Sequence, residues 1–410
     1  MNKVRIDGAN VKSFQRVNIS GSKSESNRIL IHKAIFKNIT IHNLSQSDDT
    51  NVLEKSLESL NDEINVGHAG TSMRFLTAYL STINNRKFIL SGSKRMHERP
   101  IGVLVEALNL IGFNIKFLEK TGFPPLEIIG KDNLNDSVKL KSSVSSQYVS
   151  ALALIAPSLE NGLKIELDGQ IISRPYIDMT ISILNKIGVE ASFLNNIIDV
   201  KPTRKIKDCT YVVESDWSSL SYFFSIVALA KNLDFSFSYF IEDSFQGDIN
   251  VCKYYELFGV KYKFDGNNIL IYKAKNFNYP KKIEIDLNDN PDLAQTIIVT
   301  SFGLNIPTKL TGLSTLKVKE TDRLIALHNE LSKLGANCIV NNDSIEIIKS
   351  TGLIKKNIQI NTYEDHRMAL SFAPLSLLIP IEIKNPDVVS KSFPDFWETL
   401  EKLNFSINYL

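Results

Sequence analysis

The chain has 410 residues, which is too long for one ordinary hydrophobic core and sets two domains as the expectation. Its hydrophobic content of 43% and charged content of 22% are those of a globular protein, and a net charge of +2 argues against bulk nucleic-acid binding. Cys209, Cys252 and Cys338 form no CxxC pair and the six histidines show no metal-ligand spacing, so neither a disulfide framework nor a metal site is expected. The first residues lack an apolar core of signal-peptide length and no apolar run approaches a membrane span. A cytoplasmic protein with no membrane partner is therefore expected.

In chain order, short clusters of cationic and small polar residues stand where a turn or strand feeds a helix. They are Gly21-Ser22-Lys23-Ser24-Glu25-Ser26-Asn27-Arg28, Ala69-Gly70-Thr71-Ser72-Met73-Arg74, Glu98-Arg99-Pro100 and Ser145-Ser146-Gln147. Lys319-Glu320-Thr321-Asp322-Arg323 and Asp365-His366-Arg367 follow. Helix N-termini offer unpaired N–H groups and the positive end of a dipole, so six such clusters point to a site for several anionic groups at once. The Gly-Ser-Lys-Ser run is not a P-loop, because it lacks the glycine five positions before a Gly-Lys pair.

Between these clusters a helix-like stretch, a glycine and an alternating strand recur at Gly112, Gly188, Gly259 and Gly335. The spacings are 76 (188−112), 71 (259−188) and 76 (335−259) residues. Glycine just past a helix is the usual left-handed stop, with Asn next best; Asn61 and Asn404 supply two weaker copies. Apolar residues at Ile101, Leu104, Val105 and Leu108 have helical spacing. Six α/β units suit two domains of three units each, the first unit being short. The crossing points are placed near Gly21 and Glu214-Ser215-Asp216. The expected domains are 1–20 plus 215–410, and 21–214, with short connections that would allow a hinged cleft.

Taken together, the motifs resemble the 5-enolpyruvylshikimate-3-phosphate synthase family of enolpyruvyl transferases (3-phosphoshikimate 1-carboxyvinyltransferases). The resemblance runs from Gly21 to about Trp397. It is carried by the clusters above, by Ser143-Val144 before Ser145, and by Pro175-Tyr176-Ile177-Asp178. Gln246-Gly247-Asp248-Ile249, Met368-Ala369 after Arg367, and Lys391-Ser392-Phe393-Pro394-Asp395 complete it. It implies an α/β fold of two domains, an inside-out α/β barrel of six βαβαββ-type repeats, three per domain, with the active site in the interdomain cleft.

The resemblance further implies a cytoplasmic monomer that needs no cofactor or metal and transfers the enolpyruvyl group of phosphoenolpyruvate to the 5-hydroxyl of shikimate 3-phosphate. Glyphosate would be an inhibitor. Lys23, Asp292 and Glu320 would be catalytic. Shikimate 3-phosphate would be held by Lys23, Ser24, Arg28, Ser145, Ser146, Gln147, Ser173, Tyr176, Asp292, Thr315 and Lys319. Phosphoenolpyruvate would be held by Lys23, Gly70, Thr71, Arg99, Gln147, Arg323, His366, Arg367 and Lys391. Arg74 would serve as a structural residue or in an ion pair that supports the site.

Three departures from the pattern stand out: His68 where the family commonly has Asn, Phe75 where Pro is frequent, and Thr315-Leu316 in place of Asn-Trp. The related transferase acting on UDP-N-acetylglucosamine is disfavoured, because Ser24 rather than Asn follows Lys23 and no cysteine lies near residues 85–125. A binding-only relative is disfavoured by the intact Lys23, Asp292, Glu320 and Arg323. An RNA-end-processing relative is disfavoured by the balanced charge and the lack of basic–aromatic interleaving.

Overall fold

The computed structural model describes residues 2–13, 15–132, 135–141, 145–169, 171, 173–348 and 354–410. Ser143 and Val144 of the Ser145 motif lie outside them. The chain divides into two compact units, Met1–Ser20 with Glu214–Leu410, and Gly21–Val213. Among the described residues the strands form six separate sheets and close no barrel.

In the unit 214–410, three sheets share one topology. In the first, Ile283–Asp286 pairs in parallel with Thr308–Thr311; Ile345–Ile348 then adds antiparallel, followed by Asn337–Val340. Gln15–Val17, Asp234–Ser238, Asn268–Lys273 and Val260–Asp265 repeat that order. So do Ile358–Ile360, Ile381–Lys384, Lys3–Ala9 and Phe405–Tyr409. The N-terminal strand thus completes the last repeat, and the N-terminal segment belongs with this unit for that reason.

A parallel strand pair needs a crossover, and here each crossover is a helix with apolar residues on nearly every side. Trp217–Leu229, Ala294–Gly303 and His366–Phe372 pack on one another, and almost all their residues are buried. Such an all-round buried helix must lie inside its domain. The three helices are repeats of one another, and their polar side chains meet at the repeat period. Ser221, Thr296 and Ser371, each 75 residues from the next, are joined by hydroxyl contacts of 3.3 Å. Thr300 donates to Ser225, again 75 residues away, at 2.7 Å. Apolar faces of the sheets close over this trio, with Phe223 edge-on to Phe235 and Phe237.

The unit 21–213 is built the same way around helices Lys23–Ile35, Gly70–Ser81 and Ser146–Ile155, which also contact one another. Two of its sheets, those containing Lys87–Ser91 and Leu163–Asp168, have the four-stranded topology. The third has two strands, Ile39–His42 and Cys209–Val212, paired in parallel.

The expected left-handed stops are present at Gly112 (φ 112°), Gly188 (92°), Gly259 (75°), Gly335 (101°) and Asn404 (63°). Asn61 is the exception. Leu60 (φ 44°) takes the left-handed position after helix Asp48–Ser59, and the following strand, Glu63–Asn65, opens the next repeat by pairing with Lys87–Ser91. The first repeat is short because it has no terminal hairpin.

Candidate functional site

Arg323 organises the charged residues of the unit 214–410. Asp322 caps helix Arg323–Leu334 by accepting from the Leu324 and Ile325 amides, which fixes Arg323 in the first turn. The Arg323 guanidinium is 2% exposed and meets three carboxylates. Nε and Nη2 donate to Asp365 (2.6 and 3.3 Å), Nη1 to Asp292 (2.8 Å) and Nη2 to Glu320 (2.9 Å). Arg367 donates to the Asp292 carboxylate (3.1 Å) and to its backbone carbonyl (3.0 Å). The Lys319 ammonium lies 3.5 Å from Asp292, and that of Lys391 lies 2.9 Å from Glu320.

The cluster therefore gathers six of the residues named from sequence: Asp292, Lys319, Glu320, Arg323, Arg367 and Lys391. His366, at the start of helix His366–Phe372, is 2% exposed with its Nδ1 3.6 Å from Asp365. Thr315 stands apart, in the turn Ser314–Val318, with a buried hydroxyl that finds no partner among the described residues.

Electrostatics sets the protonation of this cluster. Burial pushes the Asp292 carboxyl upward, but Arg367, Lys319 and Arg323 together outweigh burial and hold it well below the usual carboxylate range. Burial lowers the Lys319 ammonium from its ordinary value, and the neighbouring guanidinium groups of Arg323 and Arg367 add to this. For Arg323 burial is outweighed by Asp365, Glu320 and Asp292, and its proton is held more tightly than usual.

Three residues without a role from sequence belong here. Asp365 is fully buried, caps its own helix through the Arg367 amide (2.9 Å) and binds Arg323. Ser218 accepts from Arg367 (3.4 Å) and donates to Asp248, whose carboxyl burial pushes up to about 6. Asp365 and Asp248 both sit inside motifs quoted above, and for Asp365 the available signal was an acidic residue inside a cationic motif.

In the unit 21–213, Lys23 opens helix Lys23–Ile35, with Ser22 at the cap position. Its ammonium lies 3.5 Å from Asp49, a partner that sequence reasoning missed. Gly21 just before it is packed so closely that a Cβ there would lie 1.8 Å from the Asn43 carbonyl oxygen. Arg28 is 3% exposed and bonds to Thr180 (2.8 Å), the Ser24 carbonyl (2.7 Å), Ser150 (3.2 Å) and the Tyr176 carbonyl (3.1 Å). Burial brings its guanidinium down to about 10. Phe75 packs beneath it, with the guanidinium carbon 5.6 Å from the ring centroid, so the residue in place of Pro has a packing role.

Gly70 opens helix Gly70–Ser81, and the Arg99 guanidinium lies where a side chain at Gly70 would stand, 2.6 Å from an added Cβ. Thr71 accepts from Gln147 (3.3 Å). Arg74 donates to the carbonyls of Gly70 (3.1 Å) and Pro100 (2.9 Å). Ser145 caps helix Ser146–Ile155 by accepting from the Gln147 amide. Ser173, left-handed at φ 55°, precedes helix Arg174–Lys186, which packs on helix Ser146–Ile155. His68 contacts the Ser93 hydroxyl through Nδ1 at 3.1 Å.

Comparison with known proteins bears on these clusters. Residues 52–400 match the profile of the family described as "EPSP synthase (3-phosphoshikimate 1-carboxyvinyltransferase)". The chain belongs to the EPSP synthase family. A 3-phosphoshikimate 1-carboxyvinyltransferase of Bacteroides fragilis is 42% identical over 397 residues, 95% of both chains. One of Colwellia psychrerythraea is 34% identical, covering 94% of this chain and 96% of its own. In fold, the chain is similar to the EPSP synthase of Acinetobacter baumannii, with a TM-score of 0.77 at 21% identity over 100% of this chain and 99% of that one. The enolpyruvyl transferase NikO of Streptomyces tendae gives 0.76 at 12% identity, over 100% of this chain and 98% of that one.

Proposed function

We propose that this EPSP synthase family member transfers the carboxyvinyl group of phosphoenolpyruvate to the 5-hydroxyl of shikimate 3-phosphate, releasing phosphate, as a step toward aromatic amino acids. The observation that carries the reading is the Arg323-centred cluster, in which Asp292 and Glu320 share that arginine with Asp365 and are flanked by Arg367, Lys319 and Lys391. Two phosphates and two carboxylates on the ligands would repel one another strongly without such cations.

The same cluster suggests how proton transfer is turned on. With three cations on it, Asp292 is a weak base. A bound anion that draws Arg367 and Lys319 toward itself removes part of that field and raises the proton affinity of Asp292. Asp292 then takes the proton of the 5-hydroxyl as its oxygen bonds to C2 of phosphoenolpyruvate. Glu320, with Lys23, delivers a proton to C3. In the second half, the C2–O bond to phosphate breaks, the departing phosphate takes the proton held by Asp292, and a C3 proton returns to Glu320 and Lys23, leaving the new enol ether.

The remaining assignments are ours also. Lys23, Gly70, Thr71, Arg99, Gln147, Arg323, His366, Arg367 and Lys391 would hold phosphoenolpyruvate, where glyphosate would compete. Lys23, Ser24, Arg28, Ser145, Ser146, Gln147, Ser173, Tyr176, Asp292, Thr315 and Lys319 would hold shikimate 3-phosphate. The protein takes four of the five guanidinium N–H groups of Arg28, so a ligand carboxylate held at two points would replace one of these bonds. We place the enzyme in the cytoplasm as a monomer.

Phosphate release measured with each substrate alone and with both tests the reading, alongside Glu320→Gln. Release that needs both and collapses in the variant is expected. Release from phosphoenolpyruvate alone, or a fully active variant, would overturn it.

A further inference from the structure

Behind the Arg323 cluster lies a set of contacts that the roles above leave unused. Helix Arg323–Leu334 offers Arg323 to Asp365 from its first turn. Glu330, seven residues later, is two turns further on and so lies along the same face. Its carboxylate is completely buried and accepts from the Tyr363 hydroxyl (2.6 Å), the Asn361 amide (3.2 Å) and the Lys333 ammonium (2.6 and 2.8 Å). The segment 361–365 is thus tied to one helix at both ends, through Glu330 and through Arg323.

Between the ties the backbone takes a route that side chains disfavour. Tyr363 (φ 53°) and Glu364 (φ 56°) are consecutive left-handed residues, neither of them glycine. Such conformations persist where the surroundings over-determine them. The pair turns the chain from strand Ile358–Ile360 into helix His366–Phe372, and so sets where Asp365 and Arg367 emerge. Thr362 holds the base of the turn, donating to the Lys384 carbonyl (3.0 Å) and accepting from the Asp365 amide (2.9 Å).

We propose that Glu330 and Tyr363 are positioning residues of the transferase: the Tyr363 hydroxyl on buried Glu330 locks the left-handed turn that aims Asp365 at Arg323 and Arg367 at Asp292. The inference rests on the reading that Arg323 and Arg367 hold phosphoenolpyruvate. Tyr363→Phe removes one hydroxyl and keeps the ring. Glu330→Gln keeps an oxygen that can accept from Tyr363, whereas Glu330→Ala keeps none.

The test is steady-state kinetics of the full chain, varying each substrate at saturation of the other, with melting curves for every variant. Tyr363→Phe should raise KM for phosphoenolpyruvate by roughly threefold to tenfold, the size of one net hydrogen bond, and leave KM for shikimate 3-phosphate unchanged. Glu330→Gln should recover most of the defect of Glu330→Ala. If Glu330→Ala does not fold, Tyr363→Phe decides alone. A Tyr363→Phe enzyme that melts lower with both KM values intact, or with both raised equally, would make the contact merely structural and overturn the proposal. Arg367→Lys run in parallel separates the two readings. An unchanged phosphoenolpyruvate KM there would remove the role of Arg367, and the positioning inference with it. A raised KM there beside an unaffected Tyr363→Phe enzyme would remove the positioning inference alone.

Discussion

Arg323 and Asp365, 42 residues apart in sequence, form a two-point ion pair in which the guanidinium is 2% exposed and the carboxylate not at all. Two buried charges are tolerated only while each keeps its partner, because neither can recover its hydration. Asp365→Asn removes the negative charge but keeps the shape. We expect it to destabilise the protein by roughly 3–5 kcal/mol, the usual cost of breaking a buried pair. Urea unfolding followed by tryptophan fluorescence measures this. A variant within 1 kcal/mol of the parent, on the order of a surface pair, would show that Arg323 is adequately held by Asp292 and Glu320 alone.

Gly70 and Arg99 are coupled by space rather than by charge. An alanine methyl at 70 would lie 2.6 Å from Arg99 Nη1, so the guanidinium must move. The backbone itself accepts alanine, since Gly70 is helical and its φ is not positive. Within a helix alanine is favoured over glycine by up to about 1 kcal/mol, which offsets an off-rotamer arginine at about 0.5–1.5 kcal/mol. Gly70→Ala should therefore melt near the parent temperature. If Arg99 holds phosphoenolpyruvate, KM for that substrate should rise roughly tenfold, a loss of about 1.4 kcal/mol. An unchanged KM would mean that the displaced Arg99 is not a ligand.

The repeat was legible in the sequence because it is local: glycine past a helix states a backbone angle, and Gly112, Gly188, Gly259 and Gly335 all have it. Asn61 misled because a neighbouring residue, Leu60, can occupy the left-handed position when tertiary packing demands it. The cationic members of the candidate site were legible through their motifs, but their partners were not. Asp49 on Lys23, Asp365 on Arg323, and Ser150 and Thr180 on Arg28 meet only when distant repeats close on one another. Side-chain periodicity carries no record of contacts between segments 122 or 152 residues apart.

His32, one turn after Arg28, gives a pH-dependent prediction. It is fully buried, and neither ring nitrogen has a hydrogen-bond partner among the described residues. Burial, with Arg28 adding to it, lowers its imidazole from 6.5 to about 3. The unfolded chain therefore binds a proton below about pH 6.5 that the folded protein refuses. Stability should be unaffected above that pH and should fall with acidification, by up to about 1.4 kcal/mol per pH unit from this group. His32→Leu removes the proton-binding group. Urea unfolding between pH 7 and 4 should show a shallower loss in the variant than in the parent. Parallel curves would indicate that His32 titrates normally.

Asp292 acts with a different sign profile. Its folded carboxyl is held below the unfolded value of about 3.9, so it contributes stability that is fully present above that value. The contribution is lost only as pH falls through the still lower folded value. Asp292→Asn forfeits it at every pH and leaves Arg367, Lys319 and Arg323 facing one another without a shared anion. The stability gap between parent and variant should thus be constant from pH 7 to about 5 and should narrow as the parent is protonated in stronger acid. Asp292→Asn should also abolish phosphate release while still binding shikimate 3-phosphate, because amide nitrogen cannot take the hydroxyl proton. Two results would contradict this account: a gap that stays constant or widens as the pH falls below about 4, which would mean Asp292 has an ordinary or raised pKa, and an asparagine variant that still turns over, which would move the base to another residue.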